Sequence, residues 1–214
     1  MKDYEYEVVS INVGIPKTVV MDDKELTTGI YKSPVNESIY LSYLNFEGDG
    51  QADLVHHGGR DKAVCVYPYE HYAYWEKELN LTLEAGAFGE NLTVHGLSEG
   101  VACIGDIYQL GEAIVQVTQP REPCFKIAKK HGIKKFPLFI EQTGYSGFYM
   151  RVLQEGNVPK GALLKLIRRH PAEVTVSFAN RIMFQDKSNR NGIERLLRVN
   201  ELSENWRQRL SRRL

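Results

Sequence analysis

Up to about residue 167, apolar positions fall in short runs punctuated by glycine. Candidate strands are Tyr6–Val13, Ser38–Leu44, Lys62–Tyr67, Asn91–Val94, Asp106–Leu110, Ala113–Thr118, Gly147–Leu153 and Ala162–Ile167. Several are rich in Val, Ile and Tyr and are bounded by Gly, Asn or Asp. About eight short strands in about 165 residues predict a barrel or sandwich rather than a parallel sheet with regular crossover helices. Three helices interrupt the pattern. One opens at Pro68, a favoured first-turn residue, and runs toward Leu79. Another spans Pro123–Lys130 and closes at His131-Gly132, and a third covers roughly Pro137–Gln142.

Beyond residue 170 the spacing lengthens to helical. Pro171 opens a predicted helix through about Gln185, with Val174, Phe178 and Ile182 four apart. Asp186–Asn191 is a polar turn, and a second helix follows around Ile193–Val199. Ser203 caps a third, in which Trp206, Leu210 and Leu214 repeat every four residues. Roughly 45 residues bury too little apolar surface to stand alone, so this small bundle is expected to rest on the body. The reading divides the chain into residues 1–169 and 170–214.

Composition changes this picture in one respect. With 214 residues, 43% hydrophobic and 25% charged, the chain reads as an ordinary globular protein. No apolar run approaches the ~18 residues of a membrane helix. Met1-Lys-Asp-Tyr-Glu-Tyr-Glu lacks a secretory signal's apolar run, so a cytoplasmic location is expected. The 27 basic and 27 acidic residues cancel, but unevenly: residues 1–167 sum to −6 and residues 168–214 to +6. Three cysteines at no regular spacing are expected to be reduced thiols. Cys65 and Cys103 lie in apolar runs and read as small buried hydrophobes.

Four stretches carry candidate chemistry. In the His56–Lys62 loop, Gly58 and Gly59 let the backbone approach a ligand and present amide N–H groups to an anion. Arg60 and Lys62 are able to add charge-assisted bonds to a phosphate. A zinc site at His56-His57 is the rival, weakened because adjacent residues of an extended chain face opposite ways. A glycine-rich turn with one structural histidine is the plainest account. In Gly86–Leu97, Asn91 offers a paired donor and acceptor suited to a purine- or pterin-like edge, and Glu90 is a candidate acid or base. A surface turn explains both about as well.

The third stretch, Gln116–Ile127, is the sharpest. Cys124 follows Pro123 at a predicted helix start, just after a strand, where the helix dipole, Arg121 and Lys126 favour thiolate over thiol. Such a thiolate is a nucleophile or a ligand for a soft metal; otherwise the residue fills space at a helix start. No papain-like Cys-Gly-Ser-Cys-Trp run accompanies it. The fourth is the basic tail, where Arg195, Arg198, Arg207, Arg209, Arg212 and Arg213 suit nucleic-acid phosphates or the solvated faces of packed helices. The tail lacks a clear glycine turn between its second and third helices.

Three of these motifs together resemble the MOSC domain, named for the C-terminal region of molybdenum cofactor sulfurase. They are His56-His57-Gly58-Gly59-Arg60-Asp61-Lys62-Ala63-Val64, Gly86-Ala-Phe-Gly-Glu-Asn-Leu-Thr-Val and Gln119-Pro-Arg-Glu-Pro-Cys124. The match covers roughly residues 5–168, with the motifs in the family's order. The tail, with Phe178-Ala-Asn-Arg-Ile-Met and Leu202-Ser-Glu-Asn-Trp-Arg, is similar to the three-helix extension of small stand-alone bacterial members. Those members reduce N-hydroxylated bases and related compounds. Arg60 departs from the pattern, since relatives often carry proline there.

The resemblance implies a β-rich (α+β) fold: a MOSC-type β-barrel with peripheral helices and a small C-terminal three-helix module. It implies a molybdenum–molybdopterin cofactor with Cys124 as the metal ligand. Its phosphate and pterin would be held by His56, His57, Gly58, Gly59, Arg60 and Lys62, with Asn91, Arg121 and Lys32. The implied activity is a molybdenum-dependent oxidoreductase that removes oxygen from the N–OH group of compounds such as hydroxylaminopurines, a detoxification. Cys124 is then catalytic through the metal, and His57 and Glu90 are the candidate proton donors. Three scattered cysteines cannot supply four close ligands to an iron–sulfur cluster, so a separate donor must bring electrons. A non-catalytic carrier of the cofactor or its sulfur is the alternative. The tail's arginines are expected to dock the acidic body, a second copy of the chain in a homodimer, or an acidic electron donor. Nucleic acid and membrane are not the expected partners.

Overall fold

The computed structural model describes residues 4–21, 24–52 and 58–214. Its strands are β1 (Glu5–Val13), β2 (Lys17–Met21), β3 (Lys24–Thr28), β4 (Ser33–Pro34), β5 (Ile39–Leu41), β6 (Val64–Pro68) and β7 (Leu92–His95). They continue with β8 (Ile107–Leu110), β9 (Ala113–Pro120), β10 (Phe148–Gln154), β11 (Gly156–Val158) and β12 (Leu163–Arg168). Strand pairing runs β1–β7–β6–β10–β9–β8–β12, and β12 returns to β1, which closes a seven-stranded barrel. All its pairs are antiparallel except β6–β7, which the helix α1 (Glu70–Leu79) connects as a crossover.

The pleat explains the burial. β1 turns Tyr6 and Val8 inward and leaves Glu5 and Glu7 outside. An extra residue between Val8 and Ser10 shifts the register against β7, so the inward face moves to odd positions and Ile11 is buried. The hairpin β2–β3 was not among the predicted strands. Its Val20 is exposed, so its apolar residues carry no core-facing alternation. A second cluster lies outside the barrel. There Tyr67, Tyr72, Trp75 and Phe88 pack with Ile127 and Phe136 from α2 (Phe125–His131) and α3 (Phe136–Thr143).

The tail differs from the expected Pro171–Gln185 helix. Glu173 has φ +44°, Val174 gives its carbonyl to Ile104 N at 2.8 Å, and Thr175 bridges to Cys103. These residues are committed to the barrel, so α4 begins only at Val176 (Val176–Asn180), with Thr175 Oγ1 accepting from Phe178 N, and Arg181–Gln185 winds on as a π-turn. Then come α5 (Arg190–Leu197), capped by Asn189, and α6 (Glu204–Ser211), capped by Ser203. Val176, Ile182, Ile193, Leu196, Trp206 and Leu210 share one continuous core with the barrel strands, whereas Leu214 is exposed.

The tail arginines largely bind the tail itself. Arg207 donates to the carbonyls of Leu197 (2.7 Å) and Val199 (2.6 Å), Arg213 to those of Ile182 and Lys187, and Arg195 to that of Ala172. Arg209 instead reaches the barrel and pairs with Glu122. No helix among the described residues is long and apolar enough to cross a membrane.

Candidate functional site

A cleft of about 590 Å³, counted with its open mouth, lies at the barrel end where β9 runs out. Its walls come from the end of β3 and the residues after it (Thr28, Gly29, Ile30), from Gly50, Gln51 and Ala52, and from Lys62, Cys65 and Tyr149. Arg121, Glu122, Cys124 and Lys126 complete it on the segment joining β9 to α2. The loops are held close. A Cβ on Gly29 would lie 2.4 Å from the carbonyl oxygen of Gly50. Gly89, at φ +77°, faces Ile30 so closely that a Cβ would come within 2.8 Å of its side chain.

Cys124 is the N-cap of α2, half-buried, a free thiol, and its side chain caps nothing. The helix runs only seven residues, and Arg121 and Lys126 line the same cleft as Cys124. Arg121 is buried, with Nη2 donating to the Phe88 carbonyl and its backbone N–H to that of Gly147 at 3.0 Å. Burial acts to lower the guanidinium, but its net shift is upward, with the Glu90 carboxylate among the groups that raise it. It therefore stays charged beneath the cleft. Cys65 also lines the cleft, yet burial pushes its thiol up to about 11, which keeps it protonated. Burial likewise raises the Tyr149 phenol.

Asp49, which sequence reasoning missed, organises the next layer. Its side chain is fully buried and pairs with Lys32. It also accepts from Asn91 Nδ2 at 2.8 Å and from Gly14 N at 2.9 Å. Asn91 in turn donates to the Asn12 carbonyl at 3.2 Å and accepts from Cys65 N at 3.0 Å. Lys32 and Asn91 thus line the cleft with their polar groups already engaged by the protein.

Other candidates lie elsewhere. Glu90 is fully buried outside the cleft lining and accepts from Tyr72 Oη, Gly86 N (2.9 Å), Phe88 N (3.0 Å) and Thr93 Oγ1 (2.8 Å). Four donors hold it, so it fastens the Gly86–Gly89 loop and is turned away from the cleft lining. That corrects its reading as an acid or base. Arg60 is exposed and lies over the Tyr43 ring, 5.0 Å from its centroid, rather than in the cleft. Gly58 and Gly59 precede the short 3₁₀ turn Arg60–Lys62, and neither lines the cleft. Lys62 does line it, near the Tyr149 ring. His56 and His57 lie outside the described residues. Among the described residues no three His, Cys, Asp or Glu side chains gather as a metal-ion site.

Comparison with known proteins decides the family. Residues 53–165 match the MOSC domain. The chain belongs to the MOSC family. Residues 174–214 match the YiiM-like three-α-helix domain, so this MOSC protein carries its helical tail as relatives do. It is 55% identical to YflK of Bacillus subtilis over 97% of this chain and 94% of that protein. The crystal structure of YiiM from Geobacillus stearothermophilus superposes with a TM-score of 0.85 at 41% identity, covering 98% of this chain and 99% of that one. A protein of Gibberella moniliformis named a reductase is 37% identical over 68% of this chain but only 26% of its own length.

The cleft fits the cofactor that the family is associated with. An anionic, phosphate-bearing group would meet Lys62, Arg121 and Lys126 there, while Lys32 is balanced by Asp49 and Glu122, the carboxylate among the lining residues, is paired with Arg209. A soft metal meets one accessible thiol, Cys124, while the second, Cys65, is held as a thiol.

Proposed function

We propose that this MOSC protein binds a molybdenum cofactor in the Cys124 cleft and reduces N-hydroxylated compounds, hydroxylaminopurines among them. One observation carries the reading: the half-buried thiol of Cys124 and the buried, charged Arg121 line one cleft together with Lys62 and Lys126. Its kinship with a protein named a reductase supports an oxidoreductase. Bound there, the cofactor supplies two-electron oxygen-atom-transfer chemistry.

The chain's own residues do the rest. Cys124 offers the protein's ligand to the metal. Arg121, anchored through the Phe88 carbonyl, holds the anionic part of the cofactor, with Lys62 and Lys126 beside it. The Asp49–Lys32–Asn91 network fixes the wall that orients it. In the overall reaction the N–O bond breaks, the substrate takes up two electrons and two protons, and an amine and water leave. The electrons come from a separate donor, and protons enter from solvent at the open side of the cleft.

The test is made on protein from a host that makes the cofactor. Wild type is expected to retain molybdenum and pterin and to reduce 6-hydroxylaminopurine over many turnovers. Cys124→Ser should keep its fold and lose both the metal and the turnover. Metal-free wild type from that host, or full turnover by Cys124→Ser, refutes the reading. Single-turnover sulfur release without reduction would mark a carrier instead.

A further inference from the structure

Cys124 faces a second cleft, on the side away from Lys32 and Asn91. It encloses about 1210 Å³ including its open mouth, and its lining draws on both parts of the chain. The barrel contributes Lys62, Gln119, Cys124, Phe125 and Tyr149, and the tail contributes Asn205 and Arg209 of α6. The tail wall is fixed in place. Ser203 N donates to the Thr118 carbonyl at 3.1 Å, Glu204 N donates to Asp61 Oδ2 at 3.1 Å, and Arg209 pairs with Glu122 across the junction.

Two features of this cleft lack a partner in the protein. Phe125, next to Cys124 in the chain, is 57% exposed and offers an uncovered aromatic face to this cleft. Gln119 is 1% exposed and its Nε2 donates to the Pro120 carbonyl at 3.1 Å, yet its Oε1 has no hydrogen-bond partner. An exposed aromatic face and an unpaired buried acceptor, both beside the proposed metal ligand, call for a flat molecule with N–H groups on its edge. Asn205, exposed on the opposite wall, adds a donor and an acceptor at that edge.

We infer that this cleft receives the substrate, that it favours planar N-hydroxylated heteroaromatic bases, and that Phe125, Gln119 and the tail residue Asn205 set that preference. The base stacks on Phe125 and its ring edge meets Gln119 and Asn205, which turns the N–OH group toward Cys124. The helical tail is then half of the substrate site and not merely a cover. This inference rests on the reductase reading above for its substrate class.

The experiment uses full-length protein from a cofactor-making host, as wild type, Phe125→Ala and Asn205→Ala; both side chains are exposed, and thermal unfolding checks that each variant folds. Calorimetry measures binding of adenine, an unreactive planar probe. Kinetics compare kcat/KM for 6-hydroxylaminopurine with that for hydroxyurea, a non-aromatic N-hydroxylated compound. Phe125→Ala should weaken adenine about tenfold, the loss of one base–aromatic stack, and lower the purine-to-hydroxyurea ratio by a similar factor. Asn205→Ala should move both in the same direction by about fivefold, as for one lost hydrogen bond. Adenine binding and substrate ratio unmoved in both variants overturn the inference. If wild type reduces neither substrate, the reductase reading fails, and adenine binding alone then decides whether the cleft takes a planar base.

Discussion

Glu90→Gln separates a scaffold carboxylate from a proton donor. The native side chain accepts from two backbone N–H groups and two hydroxyls, all buried. In the amide, one carbonyl oxygen can still serve Gly86, Tyr72 and Thr93, but the –NH₂ then meets the Phe88 N–H, donor against donor. The change loses one charge-assisted bond, weakens the others, and strands a buried donor. A hydrogen bond to a charged group contributes about 1.5–3 kcal/mol, and a buried unsatisfied donor costs about 1–3 kcal/mol. The variant should therefore lose about 3 kcal/mol, a large share of the ~5–15 kcal/mol typical of a domain. With a urea m-value of about 1–3 kcal/mol/M, the midpoint should fall by about 1–3 M. Activity per folded, cofactor-loaded molecule should stay near that of wild type, because Glu90 does not reach the cleft. An unchanged urea midpoint together with lost activity would refute the scaffold assignment and restore the acid or base reading.

Two further outcomes follow from the same loops. Burial lowers Lys130 to about 8, while Nζ donates to the Gly86 carbonyl at 2.8 Å and the Ile30 carbonyl at 3.3 Å. The unfolded chain holds that proton up to about 10.5, so it binds more protons than the folded chain between those values, and stability from this group rises with pH there. Unfolding of wild type and Lys130→Met at pH 7.5 to 10 should show wild type gaining relative to the variant; a flat difference would refute it. Gly89→Ala should lower stability by about 1–3 kcal/mol, since φ +77° strains an L-residue and its Cβ would meet Ile30 at 2.8 Å. Thermal unfolding checks this, and an unshifted Tm would contradict the close packing of those two loops.

What the sequence made legible was local. The turn from β9 through Pro123 into a helix put Cys124, Arg121 and Lys126 within a few positions, so their convergence followed from chain connectivity alone. Short apolar runs bounded by Gly, Asn or Asp found most barrel strands for the same reason. Asp49 was invisible because its partners, Lys32 and Asn91, lie 17 and 42 residues away, and only barrel closure brings them together. Glu90 misled because a glycine-flanked carboxylate looks exposed until Tyr72 and Thr93 fold over it. No spacing indicated that α6 would arrive beside Phe125 carrying Asn205 and Arg209. The uneven charge changes meaning on these grounds. Arg190, Arg195, Arg207 and Arg213 close carbonyls within the tail, whereas Arg209 carries a charge pair across to the barrel, at Glu122 two residues before Cys124. That pair balances the carboxylate that lines the cleft and leaves Arg121, Lys62 and Lys126 to set the local potential. Lys32, already balanced by buried Asp49, positions the cleft wall more than it attracts an anion. Anion affinity at this site should accordingly depend on Arg121 far more than on Lys32, although both are basic residues lining one cleft.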